Sequence, residues 1–448
     1  MTHILDRLYG LLWGGPMLVL ISGVGVWLTI CTRCAQVRLF PQSLRRLFKK
    51  SSPEEGGVSP FRALCTALAA TVGTGNLVGV AGAICLGGPG SVFWMMVFAF
   101  FGMAVKFAEA ALAIRFRETE DGELVGGPMY MIRARLSRRF LPLAYLYSLC
   151  GILASFGVGN MTQVNAIITG IQGITPRFSP LTLGLAVTIL VGLAFLKGAD
   201  SIGRIAERLI PIASGIYILL CVLFLIIKAP QLPGALSSII KGAFSPKSVT
   251  GGLIGSAFKA VQTGCSRGVF THEAGMGTAS IAHASANVRH PAEQGMMGLL
   301  EVFLDTFVIC TLTALVILCS GIPIPYGTDA GANLTTAALS AVYGRFGKTI
   351  VCIFLVCFAY ATILGWSFYG LRCTQFVFGK KAASNFFLLQ TAAVLLGAVM
   401  KTPQIWRMAE ILNGLMALPN LLMLLVLSPE LRILTNSYKP ESSIHNWR

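Results

Sequence analysis

Residues 59–80 read SPFRALCTALAATVGTGNLVGV, an apolar stretch long enough to cross a bilayer. Its middle interleaves three glycines with hydroxyl and amide side chains, namely Gly73, Gly75 and Gly79 with Thr71, Thr74 and Asn76. Glycine permits the backbone to leave the helix, but unpaired backbone groups at membrane depth are tolerated only where they line a cavity. The stretch therefore predicts a helix that unwinds around an internal cavity.

The rest of the chain has the composition of a membrane protein. Hydrophobic residues make up 55% of its 448 residues and charged residues only 12%, against about 25% charged in an average soluble domain. Apolar runs of spanning length predict an all-α polytopic protein whose residues 1–448 form a single membrane domain. We predict about eleven transmembrane helices, at 12–32, 63–85, 91–114, 143–169, 180–196, 209–227, 250–272, 294–320, 349–371, 384–400 and 408–428.

The net charge of +17 is spread over short loops rather than gathered on one face, which argues against nucleic-acid binding. Most of the 35 lysines and arginines fall in loops on one predicted side of the membrane. The positive-inside rule then places the amino terminus outside and the carboxyl terminus in the cytoplasm. Cys31 and Cys34 have the spacing of metal ligands, but no second pair accompanies them. We predict no metal centre, no organic cofactor and no catalytic residue.

A second glycine-interrupted apolar segment occupies residues 251–277, GGLIGSAFKAVQTGCSRGVFTHEAGMG. If the helix at 12–32 is set aside as an extra amino-terminal helix, the two interrupted segments open two sets of five spans, 63–227 and 250–428. The two sets would begin in opposite directions across the membrane, which is the orientation of an inverted repeat. Interrupted helices in an inverted repeat are typical of secondary transporters, which bind substrate and coupling ion at such breaks.

Several longer motifs follow in a fixed order: GTGN at 73–76, GGPGSVFWM at 87–95, GGPMY at 126–130, ASFGVGNM at 154–161, RGVF at 267–270 with EAG at 273–275, and TILGWS at 362–367. Over nearly the whole chain they resemble the alanine or glycine:cation symporter family, the sodium/alanine symporters. The resemblance implies a LeuT-like five-plus-five inverted repeat with one extra amino-terminal helix. It implies sodium-coupled uptake of a small neutral amino acid across a bacterial plasma or inner membrane. It leaves open whether the substrate is L-alanine, D-alanine or glycine, and it leaves open the stoichiometry and the oligomeric state, for which a monomer is one plausible form.

The two breaks supply the predicted contacts to the substrate. Exposed amides of Thr74 and Gly75 at a half-helix end attract a carboxylate, and Asn76 beside them adds a polar side chain. At the second break, carbonyls near Gly268 and Val269 are expected to face the substrate ammonium, with Phe270 as an apolar wall. Small residues that only permit close helix packing are the alternative, but packing alone does not call for an asparagine.

The family fold brings the fourth and ninth spans to the central site, which makes Phe156 and Trp366 expected walls that leave room for a small side chain. Gln163 is a further expected substrate contact, and Asn165 is a less favoured candidate for the same role. For sodium, similarity to LeuT-like folds implies the carbonyls of Ala69 and Val72 and the hydroxyl of Thr362. Family members often carry a second threonine where this chain has Ala361, so one expected oxygen ligand is missing.

The remaining charged residues of the spans have structural interpretations. Lys106 and Glu109 are three apart and would meet on one helix face. Glu273 is expected to be paired, with Arg267 as a possible partner. His272 stands where the family usually has asparagine; a hydrogen-bonded histidine at a helix end is favoured over a proton-coupling role, so proton-coupled symport is the main alternative. A membrane enzyme or a channel is a remote alternative, because no nucleophile with its base or phosphate loop is visible.

Overall fold

The computed structural model describes residue 7 and residues 9–10, 12–47, 57–195, 198–254, 256–328, 331–400 and 403–438. These residues are almost entirely helical, as the composition predicts. In the described chain the only sheet is a two-stranded antiparallel hairpin of β1 (Glu118–Glu120) and β2 (Glu123–Val125), with Glu118 opposite Val125.

The helices of the first half, in chain order, are α1 Gly15–Cys31, α2 Ala35–Arg38, α3 Phe40–Leu47, α4 Pro60–Thr71, α5 Val80–Gly87, α6 Gly90–Arg115, α7 Pro128–Arg135, α8 Leu141–Phe156, α9 Thr162–Ile174, α10 Pro180–Phe195 and α11 Gly198–Ile227. Two π-helical turns connect helices of this half, Gly75–Gly79 before α5 and Gly157–Met161 between α8 and α9. Short 3₁₀ turns at Arg138–Phe140 and Ala229–Gln231 complete it.

The second half contains α12 Leu232–Phe244, α13 Pro246–Thr250, α14 Ala257–His272, α15 Thr278–His283, α16 Pro291–Val302, α17 Thr311–Cys319, α18 Ala332–Tyr343, α19 Arg345–Val399, α20 Pro403–Val426 and α21 Ser428–Ser437. A π-helical segment, Phe303–Cys310, joins α16 to α17. Gly379 has φ 78° and ψ 175°, so α19 consists of two helices that meet at this kink. These two helices correspond to the predicted spans at 349–371 and 384–400.

All eleven predicted apolar segments contain a helix, but two starting boundaries were wrong: the helix that contains 209–227 begins at Gly198. The segment predicted to span from residue 250 begins its helix only at Ala257, because left-handed glycines at 251 and 252 turn the chain first. By length and apolar composition, five helices of the described chain can cross a membrane, and seven if each of two bent pairs is one span. Two shorter apolar helices are Gly15–Cys31 and Pro180–Phe195.

Helix α6 lies at the centre of the helical bundle. It packs against α14 and α16, and its inner half is buried without interruption from Gly102 to Ile114. Helices α10 and α11 lie at the periphery and expose large apolar side chains such as Leu193 and Ile212, as lipid-facing helices do. Two non-helical parts of the glycine-rich segments, residues 72–74 and 273–277, are buried inside the bundle, where backbone can leave a helix without meeting lipid.

Candidate functional site

The first break separates α4 from the helical stretch Gly75–Gly87, and the two axes are bent by 51°. Helix α4 starts with Pro60 after the cap residue Ser59, whose hydroxyl accepts the amide of Arg62 at 3.1 Å. It ends where Val72 adopts φ −76° and ψ 87°. The amide of Gly73 then donates to the side-chain Oδ1 of Asn76 at 2.9 Å instead of continuing the helix.

This break leaves backbone groups available on both sides. Among the described residues, the carbonyl oxygens of Ala69 and Val72 accept no hydrogen bond, and the amides of Thr74 and Gly75 donate none. All four residues are buried. Free carbonyls end one half-helix and free amides begin the next, so a cation and an anion can be bound a few ångströms apart.

Asn76 fastens the break to a neighbouring helix. Its Nδ2 donates to the Asp305 carboxylate at 2.6 Å, while its Oδ1 holds the amide of Gly73. The other carboxylate oxygen of Asp305 accepts the Thr306 hydroxyl at 2.8 Å. Asn76 and Asp305 are both fully buried. The geometry of the break thus depends on a carboxylate that the sequence reasoning did not select.

A cavity of about 20 Å³ opens at this break, which is room for one water molecule rather than for an amino acid. Its walls come from both broken helices, from the turn that joins α8 to α9 and the start of α9, and from α19: Ala70, Thr71, Gly73, Thr74, Gly75, Val158, Gln163, Phe270, Glu273, Thr362 and Trp366. Gln163 contacts the first break directly, because its Oε1 accepts the Thr74 hydroxyl at 3.1 Å. The structure therefore brings together Thr74, Gly75, Gln163, Phe270, Thr362 and Trp366, all named from the sequence.

Trp366 closes one side of the cavity and is itself held by a carboxylate. The ring is fully buried, and its Nε1 donates to Oε1 of Glu273 at 2.9 Å. The other oxygen of Glu273 accepts the Thr278 hydroxyl at 2.7 Å. Close packing behind the ring requires Gly159, where a Cβ would lie 2.3 Å from the Cβ of Trp366. The indole is thus fixed in place by packing and by a hydrogen bond.

Thr362 offers an unused oxygen to the same break. Its Oγ1 is buried, and no hydrogen-bond partner for it lies in the described part of the chain. The hydroxyl faces Gly73, where an added Cβ would lie 2.5 Å from Oγ1. An orphaned buried hydroxyl beside free carbonyls is a donor set suited to a hard monovalent cation, since such ions prefer neutral oxygen ligands.

The second break lies a few residues later than the sequence suggested. Helix α14 continues through Gly268, Val269 and Phe270 to His272, and the chain then turns at Glu273–Gly277. Glu273, Gly275 and Gly277 have φ of 53°, 93° and 79°, a left-handed conformation that favours glycine.

The carbonyls predicted to face a substrate ammonium are already used at this helix end. The Val269 carbonyl accepts the amide of Glu273 at 2.8 Å, and the Gly268 carbonyl accepts the Thr271 hydroxyl at 2.8 Å. Gly268 and Val269 do not line the cavity, whereas Phe270 does. From this part of the second broken helix, the aromatic ring and the Glu273 carboxylate reach the cavity.

Two other predicted residues lie away from the cavity. Phe156 is half-buried and packs against Phe386, with ring centroids 5.6 Å apart, while Val158 from the following turn lines the cavity instead. The π-helical turn that begins at Gly157 changes the direction of the side chains relative to a regular helix, so that Phe156 does not face the cavity. Asn165 lines a separate pocket of about 290 Å³ between α9, α18 and α19.

The pairing of buried charges differs from the sequence prediction. Lys106 binds Glu301 at 2.7 Å rather than Glu109, and the other oxygen of Glu301 lies 3.2 Å from Nε2 of His283. The predicted pair was wrong because α16 packs against this face of α6 and brings a closer carboxylate. Arg267 lies 3.6 Å from Glu410, not beside Glu273.

Glu109 does not pair with Lys106; it binds backbone amides of the second break. Its Oε1 accepts the amides of Gly275 and Gly277 at 2.9 and 3.1 Å and the side-chain amide of Asn420 at 2.8 Å. His272 also stabilises the helix end, since its Nδ1 accepts the amide of Ala274 at 3.0 Å. This is the hydrogen-bonded role that the sequence favoured for the histidine.

Asp305 and Glu301 are the site-supporting residues that sequence reasoning missed. Both are fully buried in the helix at 291–319, which the sequence identified only as an apolar span. A carboxylate within such a span is costly unless it is bound, so its presence alone signals a functional or structural contact. That signal was available, but the partners Asn76 and Lys106 lie far away in sequence.

Comparison with known proteins agrees with this architecture. The structure superimposes on the crystal structure of MhsT in complex with L-phenylalanine with a TM-score of 0.60 at 14% identity, covering 84% of this chain and 90% of that one. At this identity the likeness concerns the fold, which is the LeuT-like arrangement expected from the sequence. The class of protein follows from the family to which the sequence belongs, whose members are transporters and not enzymes.

Sequence comparison gives the family. A sequence model described as the sodium:alanine symporter family matches residues 1–446, so the chain belongs to this family and the resemblance is confirmed. It is 40% identical to the sodium/alanine symporter AgcS of Methanococcus maripaludis, covering 95% of each chain. Two relatives from Bacillus subtilis are the putative sodium/proton-dependent alanine carrier protein YrbD, at 33% identity over 98% of this chain and 93% of the relative, and the probable sodium/glutamine symporter GlnT, at 34% over 96% and 89%.

Proposed function

We propose that this protein is a sodium-coupled symporter that carries a small neutral amino acid, alanine or glycine, into the cell. The observation that carries the proposal is the first break, where free carbonyls of Ala69 and Val72 and free amides of Thr74 and Gly75 lie beside one small cavity. Free amides suit the substrate carboxylate and free carbonyls suit a cation. The name of the relative AgcS supports the same pairing of sodium with alanine.

The substrate carboxylate is proposed to bind the amides of Thr74 and Gly75, with Gln163 holding the Thr74 hydroxyl in position. The ammonium group then faces Glu273 and the polar side of the cavity. Phe270 and Trp366 limit the side-chain volume. In the structure the cavity holds about 20 Å³, so its walls must separate to admit even alanine, and a larger side chain requires a larger displacement.

Sodium is proposed to bind the carbonyls of Ala69 and Val72 and the Thr362 hydroxyl. The buried and unpartnered Oγ1 of Thr362 supports this assignment, because a cation is a partner that would satisfy it. The cation site and the carboxylate site share the segment between Val72 and Thr74. Ion binding therefore stabilises the same backbone conformation that presents the amides to the substrate, which is a physical basis for coupling.

The orientation in the membrane and the internal symmetry are proposed from the sequence. We propose that the amino terminus lies outside and the carboxyl terminus inside, from the distribution of basic loop residues. Residues 63–227 and 250–428 are proposed as the two inverted repeats, each opened by one of the broken helices.

The test is uptake by the purified protein in proteoliposomes. Labelled alanine, glycine, glutamine, leucine and methionine are presented with and without an imposed sodium gradient. We expect sodium-driven accumulation of alanine or glycine above that of the larger amino acids. Accumulation that survives collapse of the sodium gradient and disappears on collapse of a proton gradient would overturn the sodium assignment in favour of proton coupling. Glutamine is included because the relative GlnT is named as a probable sodium/glutamine symporter. A preference for glutamine would overturn the proposal that the site selects small side chains.

A further inference from the structure

We infer that Glu109 is a second cation-binding residue, which binds a proton or a sodium ion on its free oxygen Oε2, apart from the proposed site at Thr362. This inference rests on the proposed cation-coupled transport and adds a second ion site to it. It begins from the balance of buried charge around the two breaks.

Four carboxylates are buried there in the described structure: Glu109, Glu273, Glu301 and Asp305. One buried ammonium, Lys106, faces them. The other buried cation, Arg372, pairs with Glu123 of the β hairpin. An excess of negative charge is costly in a membrane interior, so some of these carboxylates must take up protons or metal cations.

Hydrogen-bond donors distinguish the four carboxylates. Both oxygens of Glu301 meet basic groups, Lys106 and His283. Both oxygens of Glu273 and of Asp305 accept hydrogen bonds from neighbouring side chains. Donors on both oxygens stabilise these three carboxylates as anions and leave them fewer lone pairs for a proton or a metal cation.

Glu109 differs from the other three. Its Oε1 accepts three N–H groups, from Gly275, Gly277 and Asn420, whereas within the described chain no hydrogen bond reaches its Oε2. The residue is completely buried. Among these four carboxylates, Glu109 is therefore the one with an oxygen free to bind a proton or a metal cation.

Other unpartnered oxygens lie around it. Oδ1 of Asn420 and the hydroxyls of Tyr147 and Tyr369 are buried and lack partners among the described residues. Asn420 contacts Glu109 directly, and both tyrosines lie within electrostatic range of Glu109 and Glu273. Buried polar atoms are normally satisfied, so a group of them around a carboxylate indicates an ion or a proton that completes their bonding. The charged groups that act on Glu109 are Lys106 on its own helix and Glu301 on α16.

This position would connect ion binding to the second break. Oε1 of Glu109 holds the amides of Gly275 and Gly277, which lie two and four residues beyond Glu273, and Glu273 in turn holds Trp366. Neutralising Glu109 weakens its charge-assisted hydrogen bonds and loosens the break. An ion bound at Oε2 would in this way influence the wall of the substrate cavity without contacting the substrate.

The test compares the wild-type protein with Glu109→Gln. Glutamine retains an oxygen to accept the three N–H groups, and its neutral amide replaces the oxygen that would bind the cation. Uptake is measured against sodium concentration and, at saturating sodium, against pH. If the ion is sodium, we expect the slope of the sodium dependence to fall while the pH profile is unchanged; if it is a proton, the pH profile flattens. Sodium and pH profiles that both match wild type would overturn the inference.

Tyr147→Phe and Tyr369→Phe keep the experiment decisive if Glu109→Gln does not fold. Each removes one unpartnered oxygen and leaves the break contacts intact, and we expect cation affinity to fall by about fivefold. Tyr217→Phe is the matched control, because Tyr217 is equally buried but bonds Thr313 at 2.7 Å. Unchanged cation dependence in both tyrosine variants would assign them to packing and reject the site.

A stability measurement separates this inference from the proposed function. Thermal unfolding of the detergent-solubilised protein is followed against sodium concentration and pH, without any amino acid. Binding to the folded state raises the unfolding temperature, and Glu109→Gln should reduce that increase. Failure to transport both alanine and glycine would refute the proposed function and leave this measurement valid. An equal response of wild type and variant would refute the Glu109 site and leave the proposed function intact.

Discussion

The two broken helices look alike in sequence, but they differ in how their backbone groups are used. At the first break, the carbonyls of Ala69 and Val72 and the amides of Thr74 and Gly75 have no protein partner among the described residues. At the second break, the amides of Gly275 and Gly277 bind a buried carboxylate. The first break is thus open to ligands through its backbone, whereas the second is a satisfied turn.

The difference indicates that the two breaks have different functions, ligand recognition at the first and structural support at the second. A break with unsatisfied backbone groups is stable only when ligands complete it, so it suits substrate and ion recognition. A break whose groups are bound by protein is a fixed support that presents side chains, here Phe270 and Glu273. Mutations at the first break should therefore affect binding and coupling, and mutations at the second should affect stability.

Asn76→Leu should have the largest effect, because Asn76 holds both the Gly73 amide and the Asp305 carboxylate. The substitution leaves a buried amide and a buried carboxylate oxygen without their partner, at a cost of about 1 to 3 kcal/mol for each group. We expect sodium-driven uptake to be lost while the protein still inserts into the membrane, measured as uptake normalised to protein abundance.

Asn413→Leu is the matched control for that substitution. Asn413 is also buried in a helix, but its Oδ1 has no partner in the described structure, and it does not line the cavity. Uptake should survive in this variant. Near-normal alanine affinity and sodium dependence in Asn76→Leu would place Asn76 outside the site. Asn76→Asp would be a less informative substitution, because it sets a second carboxylate beside Asp305.

Two glycine-to-alanine substitutions, one at each break, test this difference in function directly. At Gly73 a Cβ would lie 2.5 Å from Oγ1 of Thr362, so Gly73→Ala should raise the half-saturating sodium concentration by about tenfold or more. At Gly275, with φ of 93°, alanine should lower stability by about 1 to 3 kcal/mol through backbone strain and change sodium affinity much less than Gly73→Ala does. Sodium titration of uptake and thermal unfolding separate the two effects. The comparison fails if Gly275→Ala alters sodium affinity as much as Gly73→Ala does.

Sequence patterns predicted the fold and the first break well, because glycines and polar residues in an apolar run directly determine where a helix cannot continue. They placed the second break too early, since the effect of Gly268 on a helix is weaker than that of the left-handed Gly275 and Gly277. They also paired Lys106 with its neighbour Glu109. The actual partner, Glu301, comes from a helix packed beside it, and local spacing carries no information about that contact.

Trp366→Ala should relax size selection while sodium dependence remains, because the ring limits the cavity and the proposed ion ligands lie elsewhere. We expect competition by leucine or methionine relative to alanine to rise by about tenfold, which is at the low end of what one hydrophobic pocket discriminates. Trp366→Phe is the control, since it keeps most of the ring volume and removes only the hydrogen bond to Glu273. An unchanged competition profile in Trp366→Ala would assign the tryptophan to packing.

Phe156→Ala should have the smallest effect on transport. It tests whether Phe156 lines the substrate site, as the sequence predicts, or lies outside it, as in the structure. The sequence grouped Phe156 with Trp366 as a wall of the site, whereas in the structure its ring packs on Phe386 outside the cavity. Removing a half-buried ring should cost about 1 to 2 kcal/mol of stability and leave amino-acid selectivity unchanged. Thermal unfolding and the competition assay measure these two quantities in the same preparation. If Phe156→Ala admits leucine as readily as Trp366→Ala does, the ring reaches the substrate in another state of the transport cycle, and the fourth span contributes a wall that opens with the cavity.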